Sequence, residues 1–196
     1  STVVCGCMCG SRRPVHWSAK PESADFYDLK GIMGALGEKF MLDSMVFNPY
    51  ASEEIFSQGS LEILNRPDNG PALGHFGKIQ KNILRSFDIE ADVWAFEIDY
   101  SEWMKHARFK KAFASISRFP SIQRDLALTV SRSVQAGGLM EVIQKIGGEH
   151  LHALSVFDVY TGDQIAPDKK SLAFSLQFQS PERTLTEEEI DRLLNE

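Results

Sequence analysis

The sequence contains no hydrophobic run long enough to cross a lipid bilayer, which takes about 20 consecutive apolar residues. It also does not begin with the charged and then apolar stretch of a secretory signal. These absences predict a cytoplasmic protein. Because Ser1 opens directly onto an apolar, strand-like run, we also expect the chain to be a piece of a longer protein.

Cysteine is scarce, with Cys5, Cys7 and Cys9 as the three examples. An odd number of cysteines without a secretory signal argues against a disulfide framework. Their alternate spacing places them on one face of a strand, about 6.5–7 Å apart, whereas structural zinc sites use C-x₂₋₄-C pairs. The pattern favours a buried or half-buried strand, and a cysteine-dependent metal protein is the least favoured alternative.

Catalytic motifs are missing as well. The sequence has no G-x-S-x-G, P-loop or G-x-G-x-x-G pattern, and its five histidines are scattered. The acidic run "TEEEID" is more typical of a helix start than of an acid and base pair. We therefore predict no active site in this chain.

The chain lacks the basic surplus of proteins that bind nucleic acid through counterion release alone. It has 21 Lys and Arg against 27 Asp and Glu, and acidic residues dominate on both sides of residue 115. Any contact with nucleic acid must therefore be local, or assisted by parts outside this chain. Residues 105–118, which contain five Lys or Arg and no acid, are interpreted as a linker, with a phosphate-facing strip as the alternative.

The first part of the chain combines one helix with several strands. Apolar residues at steps of three and four predict a helix whose first turns hold Asp25 and Asp28. We expect its three glycines to pack closely against a neighbour, and Trp17 before it to be buried. Strand-like segments between residues 44 and 100 predict an antiparallel sheet. The apolar helix face comprises Phe26, Leu29, Met33, Leu36 and Phe40.

The last part predicts the order β-α-β-β-α, a ferredoxin-like unit without its closing strand. Strict alternation assigns one strand face to the core, with Leu126, Leu128 and Val130 on the first strand and Leu172, Phe174, Leu176 and Phe178 on the third. The chain stops inside the final helix, which would leave one sheet edge open.

The opposite sheet face is predicted to be small, polar and flat, with one aromatic ring on it. In "LSVFDVYTG", alternation places Val156, Asp158 and Tyr160 on this face, with Phe157 and Val159 on the other. A ring beside a carboxylate and a hydroxyl is what an unpaired base requires. An ordinary solvated sheet face is the alternative. The other open-face residues are Asp125, Ala127, Thr129, Ser171, Ala173, Ser175, Gln177 and Gln179.

Several blocks resemble a known family. "ISRFPSIQRDLALTV", "VFDVYTGDQI", "KKSLAFSLQF" and "SPERTLTEEEI" are similar to the ferredoxin-fold anticodon-binding domain of bacterial-type phenylalanyl-tRNA synthetase β subunits. "ADFYDLKG", "LGHFGKI" and "VWAFEIDY" resemble the preceding non-catalytic module, which is built like a class II synthetase core. The resemblance implies an α+β protein, with that antiparallel-sheet module at residues 1–112 and a truncated anticodon-binding domain at residues 113–196.

The resemblance also implies a function. The family's α₂β₂ holoenzyme is a cytoplasmic ligase that joins phenylalanine to its tRNA with ATP and magnesium, at a catalytic pocket in the α subunit. This chain would bind the tRNA(Phe) anticodon stem-loop and scaffold the α subunit. It would bind neither cofactor itself, and alone it would neither aminoacylate nor edit.

By the same resemblance, Asp158, Tyr160 and Ser171 are the anticodon contacts. Tyr160 would stack on the first anticodon base while the other two bond its edge. Arg124 and Arg183 are candidates for tRNA backbone phosphates, with salt bridges to Asp125 or Glu182 as an equal alternative. A ferredoxin-like regulatory or oligomerisation module without RNA binding is the competing function, and it would bury Tyr160 against another protein.

Overall fold

A computed structural model describes residues 1–42, 45–52, 54–65, 71–110, 113 and 116–194. The chain forms two compact units, Ser1–Ala112 (unit 1) and Phe113–Glu196 (unit 2). Each unit contains helices and an antiparallel sheet, which confirms the α+β class. No helix in these ranges has the length and apolar character needed to span a membrane.

Unit 1 contains a five-stranded antiparallel sheet in the order β1-β5-β4-β3-β2, as the strand-like segments predict. Helix α1 packs on one face of this sheet, where Leu29 and Met33 are buried against Phe76 and Ile98. The elements are β1 Val3–Cys9, α1 Phe26–Lys39, β2 Met45–Pro49, β3 Leu61–Asn65, β4 Ala72–Lys78, α2 Lys81–Ser86, β5 Val93–Asp99 and α3 Tyr100–His106.

Helix α1 begins at the acidic pair that marks it in the sequence. The Asp25 side chain accepts hydrogen bonds from the backbone N–H groups of Tyr27 and Asp28, at 2.8 and 3.2 Å. Asp28 in turn accepts the Asp25 N–H at 2.8 Å, completing a capping box. Three backbone N–H groups at the helix start are thereby satisfied.

The glycines of α1 follow the predicted close packing only in part. A Cβ at Gly37 would collide with the Met45 side chain, so this glycine allows a close approach. Gly31 and Gly34 have no neighbouring atom within 4 Å of such a Cβ, so the expectation was wrong for these two.

Two burial expectations in unit 1 were wrong. Trp17 is 93% exposed, because it lies in the loop between β1 and α1, and the buried indole belongs to Trp103, which donates to the Leu73 carbonyl at 3.0 Å. Cys5, Cys7 and Cys9 are exposed. They lie on the edge strand β1, and alternation turns them away from the face on which Met8 packs.

The predicted linker begins later than residue 105. Lys105 and His106 form the end of α3. Residues 107–110 have no regular secondary structure, and residues 111–112 and 114–115 lie outside the described part of the chain.

Unit 2 has the predicted βαββα order and a three-stranded sheet in the order β6-β8-β7. Phe174 is fully buried, and α4 and α5 cover its side of the sheet through Ile143 and Ile190. The elements are β6 Ile122–Ser131, α4 Ala136–Gly147, a 3₁₀ turn Gly148–His150, β7 Leu151–Tyr160, β8 Lys169–Phe178 and α5 Glu187–Leu194.

The start of α5 is fixed by a capping box and an ion pair. The Glu189 N–H donates to the Thr186 hydroxyl at 3.3 Å, and the Thr186 N–H donates to the Glu189 carboxylate at 2.9 Å. Arg183 forms a bidentate pair with the same carboxylate at 2.7 and 2.8 Å. The Arg183 guanidinium, then the Thr186 N–H, lowers the pKa of Glu189 from 4.5 to about 2.

We expect Glu189 to stabilise unit 2 at neutral pH and to lose this effect in acid. The pKa of Glu189 in the folded chain lies below its unfolded value of 4.5. The stabilisation is therefore complete above pH 4.5 and disappears as the pH falls towards about 2. Glu189→Gln should therefore lower the unfolding midpoint at pH 7 and flatten its decline across this window. Thermal unfolding at successive pH values measures both effects. Glu188→Gln, which removes the neighbouring charge, should leave the profile close to wild type.

Candidate nucleic-acid interface

The face of the unit 2 sheet opposite the helices is built from cross-strand rows. Directly paired residues of antiparallel strands project from the same face, with their Cα atoms about 4.5–5.5 Å apart. The rows therefore form a small polar platform, whose centre is the Ala127 and Ala173 pair. In order along the sheet they are Thr129–Ser171–Tyr160, Ala127–Ala173–Asp158, Asp125–Ser175–Ser155 and Gln123–Gln177–Ala153.

A bulge in β7 determines which side chains reach this face. Val156 pairs with Phe174 and Asp158 with Ala173, so two β7 residues span one step of β8 and Phe157 is the extra residue. Asp158 and Tyr160 therefore lie on the open face, as predicted. The expected position of Val156 on that face was wrong, because the bulge reverses the alternation and Val156 packs against the core.

The three predicted base contacts come together at one end of the platform. Tyr160 pairs directly with Ser171, and Asp158 lies in the next row. Tyr160 is 39% exposed and Asp158 is exposed. One Asp158 oxygen accepts the Val159 N–H at 2.9 Å. Within the described residues, the Tyr160 and Ser171 hydroxyls have no partner, so these groups are free to bond a ligand.

The absence of a side chain at Gly162 allows the Tyr160 ring to pack against the turn after β7. A Cβ at Gly162 would lie 2.5 Å from Cζ of Tyr160 and 2.8 Å from one ring carbon, which is closer than real contacts allow. The hydroxyl end of the ring thus lies against the backbone of the turn that follows β7. This packing of Tyr160 against Gly162 was not predicted from the sequence. The available signal was a glycine two residues after a tyrosine at the end of a strand.

Gly162→Ala should displace the Tyr160 ring without unfolding unit 2. The clash involves the far end of one side chain, and Gly162 is not among the residues with positive φ, so alanine suits the backbone. We expect changed aromatic NMR shifts for Tyr160 and an unfolding midpoint close to wild type. Gly138→Ala adds a methyl group where no atom lies within 4 Å and should leave the ring signals unchanged. Unchanged Tyr160 shifts in Gly162→Ala would contradict the packing role.

The two predicted phosphate contacts lie away from this platform, in ion pairs. Arg124 is next to α5, 3.5 Å from Glu187 and 3.8 Å from Asp191. Arg183 is held by Glu189 as described above. The salt-bridge alternative thus applies to both arginines, but with other carboxylates than Asp125 and Glu182. A role in phosphate binding stays a prediction for these two residues.

Unit 1 presents a second polar row, which includes Cys5, Glu97 and His75. The Cys5 thiol donates to Glu97 at 3.7 Å, and burial followed by the Glu97 charge raises the pKa of this cysteine. The His75 ring stacks on Tyr50 with centroids 4.7 Å apart. Within the described ranges, no three His, Cys, Asp or Glu side chains are grouped as metal ligands.

Comparison with known proteins gives matches over both units. Residues 117–196 match the model of the ferredoxin-fold anticodon binding domain, and residues 1–100 match the phenylalanyl tRNA synthetase beta chain CLM domain. The chain is 34% identical to the phenylalanine–tRNA ligase beta subunit of Bacillus subtilis, 31% to that of Syntrophotalea carbinolica and 35% to that of Pseudomonas fluorescens.

These alignments cover 96% of this chain and 23% of each relative, so the chain spans about a quarter of the length of the proteins it matches. The predicted resemblance is confirmed over nearly the whole chain. With one family model covering half of its residues and an anticodon-binding domain model covering most of the rest, the chain belongs to the phenylalanyl-tRNA synthetase β-chain family.

Proposed function

We propose that this chain is the part of a phenylalanine–tRNA ligase β subunit that binds the anticodon stem-loop of tRNA(Phe) and scaffolds the catalytic α subunit. Unit 2 binds the RNA and unit 1 contacts the α subunit. The ligase joins phenylalanine to tRNA in the cytoplasm as an α₂β₂ assembly. This chain alone is inactive in that reaction.

The observation that carries the proposal is the exposed Tyr160 ring beside the Ser171 hydroxyl and the Asp158 carboxylate, of which one oxygen accepts the Val159 N–H. Single-stranded nucleic acids bind through bases stacked on aromatic side chains, and specificity comes from hydrogen bonds to the base edges. In this site the first anticodon base stacks on Tyr160, while Asp158 accepts from its edge and Ser171 bonds an adjacent edge atom. The alanine pair between β6 and β8 leaves room for the base.

Unit 1 offers a loop anchored by ion pairs for protein contact. Arg12 binds three carboxylates, those of Glu22, Asp25 and Asp28, at 2.7–2.9 Å. These bonds anchor the loop that presents the almost fully exposed Trp17. Tryptophan is enriched at the centres of protein interfaces, so we propose this loop as a contact with the α subunit. ATP and magnesium bind at the catalytic pocket of the α subunit, away from this chain's residues.

The test is the binding of labelled tRNA(Phe) anticodon stem-loops to the assembled ligase that contains this chain. One stem-loop keeps its first anticodon base and the other has that base exchanged. The proposal expects tighter binding of the unchanged loop, and it expects Asp158→Asn to reduce this preference. Equal affinity for both loops would overturn the base-reading role.

A second candidate is a protein-docking role for unit 2. Phe157 and Val159 are 58% and 53% exposed on β7, an edge strand of the sheet. Exposed apolar side chains beside an open strand edge suit a protein partner. In that case Phe157→Asp would disrupt assembly of the ligase and leave the preference between the two stem-loops intact.

A further inference from the structure

The proposed RNA site requires positive charge that the predicted arginines do not supply. Binding to phosphates gains its free energy from cations that replace the RNA counterions. Arg124 and Arg183 are already neutralised by glutamate and aspartate side chains of α5. A phosphate would have to compete with those carboxylates for either guanidinium.

Two cations instead lie at the Tyr160 end of the sheet. Lys169 begins β8 and pairs with Ser131, which places its side chain on the same face as Ser171 and one row beyond it. Rows on one face are about 7 Å apart along a strand. Lys169 is exposed, and its ammonium has no ion pair within the described residues.

Arg132 directly follows β6 and is held beside the start of β8 by two hydrogen bonds. Its backbone N–H donates to the Asp168 carbonyl at 2.9 Å, and its Nε donates to the Lys169 carbonyl at 3.4 Å. The Arg132 side chain is exposed, and it too lacks an ion pair in the described ranges. Two uncompensated positive charges thus meet at one corner of the platform.

We infer that Lys169 and Arg132 form the phosphate-binding corner of the nucleic-acid site, an inference that rests on the proposed function of Tyr160. A base stacked on Tyr160 has its sugar and phosphate at the rim of the ring. One row of the sheet is a distance that a four-carbon lysine side chain bridges. Tyr160, Asp158 and Ser171 bind the base, and Lys169 and Arg132 bind the adjoining phosphate.

The inference predicts that Lys169 and Arg132 contribute to stem-loop affinity in a way that depends on salt and does not depend on the base sequence. Each lost phosphate contact lowers the slope of log K against log salt by about 0.7 for a single strand, which corresponds to roughly five-fold weaker binding at 0.1 M salt. Lys169→Ala and Arg132→Gln should each show this loss equally for the unchanged and the exchanged stem-loop. The preference between the loops should remain.

The experiment is a salt titration of stem-loop binding to the assembled ligase and its variants. Lys145→Ala is the matched control, because it removes an exposed lysine from α4, on the covered side of the sheet. A wild-type slope in the Lys169 and Arg132 double variant would overturn the inference, as would a slope change confined to Arg124→Ala. If the proposed function itself were wrong, the result would be different: the wild-type ligase would bind the unchanged and the exchanged stem-loop equally.

Discussion

Replacing Tyr160 with alanine is expected to weaken binding of the matching anticodon stem-loop by about 5- to 150-fold. This range corresponds to the roughly 1–3 kcal/mol lost when a stacking ring is removed from a single-stranded nucleic-acid site. The ring is the single aromatic side chain on the described platform, so no neighbour can take over its contact. Fluorescence anisotropy with labelled stem-loops and the assembled ligase measures the change.

Two companion variants separate stacking from other effects. Tyr160→Phe keeps the ring and removes the hydroxyl, so it should retain most of the affinity. Phe157→Ala removes an exposed ring from the bulge on the same strand and should leave stem-loop affinity near wild type. If Tyr160→Ala binds as tightly as wild type, the platform is an ordinary solvated sheet face.

Replacing Phe174 with alanine should cost unit 2 about 3–5 kcal/mol of its free energy of unfolding. Its side chain is fully buried between the sheet and the two helices, and truncating such a residue leaves a cavity in addition to the lost apolar burial. Since all three tryptophans precede residue 113, their fluorescence reports on unit 1. Amide hydrogen exchange of β6, β7 and β8 therefore measures this loss.

Ser175→Ala is the matched control for the core variant. Ser175 is the next residue along β8 and belongs to the open face, where it accepts a hydrogen bond from Gln123 at 2.8 Å. Its replacement should change the free energy of unfolding by much less than that of Phe174. If Phe174→Ala and Ser175→Ala reduced the protection of the sheet amides equally, the assignment of Phe174 to the core face and Ser175 to the open face would be contradicted.

Elements with uninterrupted periodicity were predictable from the sequence. Every second residue of β8 from Leu172 to Phe178 is apolar, and all four are buried. Helices α1 and α5 are preceded by Asp25 and Thr186, whose side chains accept hydrogen bonds from backbone N–H groups as capping residues do. In these elements the local preference and the tertiary contacts require the same conformation.

The bulge in β7 was not predictable from alternation alone. The available signal was the spacing of three between Val156 and Val159, which pair with the buried residues Phe174 and Leu172, because a regular strand repeats every two residues. Alternation still placed Asp158 and Tyr160 correctly, since both lie beyond the bulge. The assignment failed for Val156, on the other side of it.

Burial at strand edges and in loops could not be inferred from residue type. Cys7 and Trp17 belong to classes that are usually inside proteins, but an edge strand and a connecting loop leave them exposed. The ion pairs of Arg124 and Arg183 depend on where α5 packs, which no local pattern specifies. Contacts between distant segments, such as the carboxylates of α5 near β6, appear only in three dimensions.

The contact between Gly162 and Tyr160 has an entropic consequence. A side chain that becomes immobile on binding costs about 0.5–1.5 kcal/mol of rotamer entropy. The Tyr160 ring is already confined by the turn backbone in the free chain, so part of that cost is incurred when unit 2 folds. The ring is therefore preorganised for the base proposed to stack on it. For that proposed contact, we expect Gly162 to increase affinity by reducing the disorder that binding has to remove.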